Sequence, residues 1–429
     1  MKLSPIIKYF LFKLTIQITF PFYRENFTSL THSNIHSKLF ENKIQTIIKI
    51  GTPEISIPLN IKTQQYTLSI VSSSTNIKEE KIPLFNEKNS KSLRLFYLDP
   101  DDYLNEDFTY GCLGKETFYF GKENIKLEEI KFLLAFGLNV IESGVLGLGL
   151  FYKNFKIRFA HLIDQLKERK IINEKVFYFN FFDNDNGELI IGNFPYENKS
   201  LFLEKNNFES FSVYISDIKE QKYNFLFDNV YFNNEEIESE IIGDIFIESG
   251  MIKVDNIYFK KIENSFFKKY VDMNICEKIK LFNGNFSFVC DNKVNIKKFG
   301  EIKLKIRKFN FILEGKDVFY EFENKFYFLI YYGDYNQNWI IGKPFFKKYI
   351  FVFEPDKKTI GIFKNKIGKS NFHIFIIVFL FVIIICLISF IFIYIKRKKI
   401  KSKALELDDE EFLNKDDSKE NIYKKAFDF

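Results

Sequence analysis

Between Phe372 and Ile395 lie 24 residues without a charged side chain, softened only by His373, Cys386, Ser389 and Tyr394. At about 1.5 Å per residue a helix of this length crosses the roughly 30 Å hydrocarbon core of a bilayer with room to tilt. Buried core helices rarely run so far without a polar stripe, so a transmembrane helix is expected at 372–395. Lys396, Arg397, Lys398, Lys399, Lys401 and Lys403 follow at once. By the positive-inside rule they place residues 396–429 in the cytosol, as a short tail that soon turns acidic.

The other end carries a weaker apolar run. Residues 1–24 read as a secretory signal with Lys2 in front, although Lys8 and Lys13 interrupt its apolar stretch; an uncleaved first anchor is the alternative. Either way the expectation is a single-pass type I membrane protein of the secretory pathway or cell surface. Its ectodomain would be luminal or extracellular, exposing the sequons at Asn26, Asn198 and Asn285 to glycosylation. Of four cysteines, Cys386 lies in the span and Cys112 stands alone. Cys276 and Cys290 remain as the close pair expected to form a disulfide in an oxidising compartment.

Composition removes further classes. Only six of the 62 basic residues are Arg, and the net charge is +6 over 429 residues. Arg is the usual reader of phosphates and bases, so no nucleic-acid partner is expected. With four His and no CxxC, neither a metal site nor a cofactor is expected. The chain is 46% hydrophobic, enough to bury large cores. Its abundance of Phe, Ile, Asn and Lys has the look of codon bias and is given no functional weight.

From Ile44 to Phe363 the pattern is of short strands, such as Thr46–Ile50, Tyr66–Val71 and Lys175–Phe179, rich in β-branched and aromatic residues. Asp185-Asn186-Gly187 before Glu188–Gly192 predicts a hairpin whose Asn-Gly pair supplies positive φ angles. One amphipathic helix is expected within Arg158–Lys170. Phe159, Leu162, Ile163 and Leu166 share its apolar face, with Asp164, Lys167 and Glu168 outside it. An all-β body of this size points to two lobes, set at 25–205 and 206–366.

Several strings in one order then resemble the pepsin-type aspartic proteases. They are Ile50-Gly51-Thr52-Pro53, Ser143-Gly144-Val145-Leu146-Gly147-Leu148-Gly149, the helix Leu162–Glu168, Val176–Phe179, Gly187–Gly192, Trp339-Ile340-Ile341-Gly342 with Phe345-Phe346, and Tyr349–Glu354 closing on Ile360-Gly361-Ile362. The resemblance covers about residues 40–365. It implies a bilobal pepsin-like fold with few short helices, a peptide or protein ligand in the cleft between lobes, and a C-terminal-lobe disulfide where Cys276 and Cys290 stand. Leu146-Gly147 and Ile341-Gly342 would be the strands bracing the two active-site turns, with glycine allowing close backbone approach.

An aspartic protease needs two carboxylates about 3 Å apart sharing one proton. The family writes each as D-T-G or D-S-G, and neither string occurs before any of the 19 glycines. Counting on from Gly51, the first motif falls at Lys62-Thr63-Gln64; the second falls at Glu248-Ser249-Gly250. Lys62 and Glu248 are therefore expected to form a buried ion pair in place of the dyad, with the hydroxyls of Thr63 and Ser249 still cross-linking the two turns. Tyr103 is the candidate flap tyrosine, and Lys343 follows Ile341-Gly342 where an acid or serine is common. A Lys62–Ser249 hydrolytic pair has no signature of an oxyanion hole.

The expected function is that of a membrane-anchored, non-catalytic relative of these proteases that binds peptides or proteins. Two readings compete with it. One is an active aspartic endopeptidase in which Glu248 works with another carboxylate, such as Asp244 or Asp255; the other is a structural surface glycoprotein.

Overall fold

The computed structural model describes residues 17–24, 35–40, 43–74, 83–96, 110–136, 142–150, 161–183, 185–198, 201, 203–214, 222–281, 284–333, 338–363 and 379–397. The chain divides into two units, residues 1–366 and 367–429. What is described of the second is one helix, Phe379–Arg397, long and apolar enough to cross a membrane. Residues 372–378 of the expected span lie outside the described residues.

The first unit is all-β and two-lobed, with few and short helices. In chain order its first eleven described strands are β1 (Ile18–Arg24), β2 (Ile44–Ile50), β3 (Ile55–Lys62), β4 (Leu68–Val71), β5 (Arg94–Phe96), β6 (Tyr110–Phe120), β7 (Ile125–Phe136), β8 (Gly144–Gly147), β9 (Phe177–Phe181), β10 (Asn186–Ile191) and β11 (Phe208–Ser212). The next eleven are β12 (Asn224–Phe232), β13 (Glu235–Ile245), β14 (Ile252–Val254), β15 (Cys276–Lys280), β16 (Phe286–Asp291), β17 (Glu301–Ile306), β18 (Phe309–Glu314), β19 (Phe319–Phe322), β20 (Lys325–Phe328), β21 (Ile330–Tyr332) and β22 (Trp339–Ile341). β23 (Phe351–Glu354) and β24 (Thr359–Phe363) end the unit.

The two sets build two sheets. The first runs β11-β24-β23-β9-β10-β1-β2-β3-β8-β4-β7-β6-β5, and the second β18-β17-β12-β13-β22-β14-β21-β16-β20-β19 with β15 on β16. The division expected at residue 205 follows the chain rather than the sheets, because β11, β23 and β24 return to the first sheet. Where they return, the aromatic bias becomes core: Phe177 stacks on Phe353 with ring centres 4.7 Å apart, and Tyr223 meets Phe353 edge-on at 4.7 Å. Such pairs add about 1 kcal/mol each beyond the area they bury.

A duplication faint in the sequence is plain in the pairing. In the first sheet β8 lies parallel to β3 and antiparallel to β4, and β4 lies parallel to β7. In the second, β22 lies parallel to β13 and antiparallel to β14, and β14 lies parallel to β21. Each half thus holds two strands joined by a turn, with a third strand inserted between them.

Of two local expectations, one is corrected and the other holds. The β9–β10 hairpin forms, but its turn does not use positive φ at Asn186-Gly187, since neither residue is among those with positive φ. Both belong to β10, and Asp183 makes the turn instead, its Oδ1 accepting from the amides of Asp185 and Asn186 at 2.7 Å each. The expected helix is described over Leu162–Glu168, with Phe159 outside the described residues. Its buried face includes Gln165, whose amide group pairs with both the N–H and the C=O of Lys131 at 2.8 Å and so joins the helix to β7 as a strand would.

Cys276 and Cys290 are paired across β15 and β16 and form a disulfide closing a 14-residue separation. Replacing both by alanine is expected to cost about 3 kcal/mol, from the freedom regained by the unfolded chain. Denaturant unfolding of the detergent-solubilised protein measures this; an unchanged midpoint would contradict it.

Candidate functional site

The two duplicated turns face each other. The first leaves β3 at Lys62 and continues through Thr63, Gln64 and Gln65; the second leaves β13 at Ile245 and carries Glu248, Ser249 and Gly250. Each is gripped by its inserted strand. Leu148 N donates to Lys62 O at 2.9 Å and Gly149 N to Gln65 O at 2.7 Å, while Lys343 N donates to Ser249 O at 2.8 Å. The contact needs glycine: a Cβ on Gly147 would stand 2.5 Å from Thr67 O, and one on Gly342 would stand 2.1 Å from Met251 O. The bracing role expected of Leu146-Gly147 and Ile341-Gly342 is thus visible in backbone distances.

Thr63 ties the turns together. Its side chain is fully buried, and Oγ1 lies 2.9 Å from Glu248 Oε2 and 3.2 Å from Ile245 O, accepting in turn from Ile247 N at 3.4 Å. A hydroxyl has one hydrogen, so it serves one of these two acceptors at a time. The Thr63 amide also donates to Glu248 Oε2 at 3.3 Å. Gln64, standing where a glycine was expected, adds a second crossing through Nε2 to Ile245 O at 3.1 Å. Ser249 does not cross: its hydroxyl donates to Met251 O at 2.7 Å, within its own turn. Of the two expected cross-linking hydroxyls, one crosses.

The expected Lys62–Glu248 ion pair is also corrected. Lys62 Nζ lies 3.0 Å from Glu142 Oε2, and the Glu248 carboxylate takes its hydrogen bonds from Thr63. The reason is geometric. Glutamate carries its carboxylate one methylene further than aspartate, which brings it to the two donors of Thr63, and Glu142 is left to neutralise the lysine. Burial pushes the Glu248 carboxyl above the usual range, and hydrogen bonds from its own backbone and from Thr63, with the charge of Lys62, recover only part of that.

Other residues singled out by the sequence lie elsewhere. Tyr103 is outside the described residues. Asp244 accepts from Asn338 Nδ2 at 3.1 Å. Asp255 caps the helix Asn256–Ile262, accepting from Tyr258 N at 2.8 Å and from Trp339 Nε1 at 2.8 Å. Neither has a recorded hydrogen bond or ion pair to Glu248. Lys343 is buried, which lowers its ammonium to about 7, with the charge of Arg24 acting in the same direction; Asp185 stands 3.9 Å away.

Two findings at the site were not anticipated from the sequence. Glu142 directly precedes Ser143-Gly144, and a lysine at the motif position called for a carboxylate within reach. Tyr66 and Asp164 form the second finding: Asp164, expected on the solvent face of its helix, accepts from Tyr66 Oη at 2.8 Å and pairs with Lys175 at 2.7 Å. His161 stacks on Tyr66 with ring centres 4.2 Å apart. Burial alone would raise the Asp164 carboxyl, but the His161 ring, its Nδ1 3.4 Å away, and hydrogen bonds from Lys175 and Tyr66 hold it well below the usual range. The first turn is thereby anchored from behind. Among the described residues no cluster of His, Cys, Asp and Glu could hold a metal ion.

A family model described as eukaryotic aspartyl protease matches residues 44–365. No curated protein matches the chain.

Two outcomes follow for the site. Thr63→Val removes the hydroxyl's hydrogen bonds with Glu248, Ile245 and Ile247 while the Thr63 amide remains, and is expected to cost about 2 kcal/mol in denaturant unfolding; a change within error would contradict the tie. The second concerns Glu238, whose carboxyl is lifted by burial and by neighbouring Asp255 to about 8. The folded chain then keeps a proton that the unfolded chain releases near 4.5, so stability falls as pH rises from about 4.5 to about 8. Melting curves of Glu238→Gln are expected to lose that slope, and an unchanged slope would refute the assignment.

Proposed function

We propose, from the premise that the chain belongs to the eukaryotic aspartyl protease family, that it is a non-catalytic member, membrane-anchored through its C-terminal helix, whose cleft binds peptides or proteins without cutting them. One observation carries this reading: the first turn presents Lys62, held by Glu142 at 3.0 Å, where the reaction needs a carboxylate. A dyad works because two adjacent carboxylates share one proton, one activating water while the other donates to the peptide carbonyl. A charged lysine has no lone pair to accept a proton from water. Glu248 is left as a single carboxyl whose Oε2 is engaged by Thr63.

The scaffold keeps what binding requires. The tie through Thr63 and the braces at Gly147 and Gly342 hold both turns in a fixed relation, which preorganises a cleft for an extended ligand. The role of binder rests on the family's peptide-binding cleft, since fold alone does not give function. The active-endopeptidase reading needs a second carboxylate beside Glu248, and the engagements of Asp244 with Asn338 and of Asp255 with Tyr258 and Trp339 count against those two.

Fluorogenic peptide turnover by the purified full chain between pH 3 and pH 7, with and without pepstatin, tests the proposal. No pepstatin-sensitive turnover is expected. Turnover that pepstatin abolishes, and that is lost in Glu248→Gln, would overturn it in favour of the active enzyme. Capture of members of a peptide library, weakened by substitution of Lys62 or Glu142, distinguishes a binder from a surface glycoprotein whose fold only carries glycans.

A further inference from the structure

The segment that reads as a leader overlaps the first strand of the fold, and we infer that any leader ends before Ile18, so that Ile18–Arg24 remains in the working protein as an interior strand. β1 lies between β10 and β2 in the first sheet. It pairs with β10 from Ile18 opposite Ile191 to Tyr23 opposite Asn186, and with β2 at Tyr23 and Arg24. Ile18, Thr19, Phe20, Phe22 and Arg24 are buried, and from Phe20 on the side chains alternate, with Pro21 exposed and Tyr23 half-buried. Proline is tolerated there because Pro21 has no ladder partner on β2, and its carbonyl accepts from Thr46 Oγ1 at 2.8 Å.

The surroundings are shaped to this strand. Phe20 meets Phe120 edge-on at 5.8 Å, and Phe22 meets Phe181 at 5.0 Å and Phe179 at 6.1 Å. A Cβ on Gly187 would stand 2.4 Å from the Phe22 ring, so the glycine expected to make a turn instead makes room for β1. Arg24 continues the attachment. Its backbone N–H donates to Asp185 O at 2.7 Å, its Nη2 donates to Lys38 O at 2.8 Å, and its Nη1 lies 3.5 Å from Asp185 Oδ1.

Lys38 belongs to α1 (Ile35–Phe40), whose Ile35 and Leu39 are buried with Met251, Leu281, Tyr327 and Tyr331. Phe40 O accepts from Gly250 N at 3.4 Å. The chain that begins as β1 therefore ends against the turn carrying Glu248. Arg24, Leu39, Gly250, Tyr320 and Lys343 are among the residues lining a cavity of about 20 Å3 between these parts. Cutting after Arg24 would open the edges of β10 and β2 and leave a gap beside Gly187. A leader confined to residues 1–17 keeps Lys2 and the stretch Pro5–Phe12, which Lys8 interrupts.

The inference is independent of catalysis in the cleft, and two experiments test it. Mass spectrometry of N-terminally labelled full chain from membranes is expected to place the mature N-terminus at or before Gln17; a start within or beyond β1 overturns the inference. In parallel, one unrelated cleavable leader is placed before Gln17 in one version and before Glu25 in another. The first is expected to accumulate at the membrane with the natural melting midpoint, the second to be recovered at several-fold lower level with a lowered midpoint. Equal recovery of both, or equal loss of both, overturns it.

Discussion

The buried hydroxyl of Thr63 joins the turn after β3 to the turn after β13, and the cleft takes its geometry from that junction. On either side a duplicated arrangement of three strands delivers a turn to the same place, and each inserted strand holds its turn so closely that a side chain at Gly147 or Gly342 would collide with backbone. Thr63 then fixes one turn against the other through Ile245, Ile247 and Glu248. Gln64 reinforces the junction, and Tyr66 anchors its rear to Asp164. Two opposed turns are thus supported in a chain whose counted motif positions hold Lys62 and Glu248.

The proposed loss of catalysis rests on the change in charge. Two aspartates sharing a proton would repel once both ionised, and that coupling is what makes a dyad useful. Lys62 removes the coupling, and Glu142 satisfies the lysine, so the ammonium is neutralised without drawing on Glu248. Glu248 in turn rests on donors from Thr63. Lys62 is paired with Glu142, and Glu248 Oε2 accepts from the amide and hydroxyl of Thr63. Under the proposed function, a site so arranged serves to hold a ligand rather than to cut it.

Much of the fold was legible because glycine and apolar strings keep their order along the chain, and the strands at 44–50, 68–71 and 177–181 lie close to where their β-branched and aromatic runs put them. What the sequence obscured had local causes. Asn186-Gly187 looks like a turn, yet a Cβ on Gly187 would collide with Asn180 O on β9 and with the ring of Phe22, 165 residues away in sequence. β1 looks like part of a leader because an alternating buried strand and an apolar leader draw on the same residues. In the site, the motif positions could be counted from Gly51, but the partner of Lys62 could not, since the choice between Glu142 and Glu248 depends on the length of a side chain and the direction of two donors. Asp164 read as solvent-facing because helical periodicity does not report a tyrosine arriving from another turn.

Double-mutant cycles in unfolding free energy address the arrangement of charges most directly, using Lys62→Met, Glu142→Gln and Glu248→Gln. The account predicts a coupling of about 0.5 kcal/mol or more between Lys62 and Glu142, with a smaller one between Lys62 and Glu248. A Lys62–Glu248 coupling that exceeds the Lys62–Glu142 coupling would contradict it.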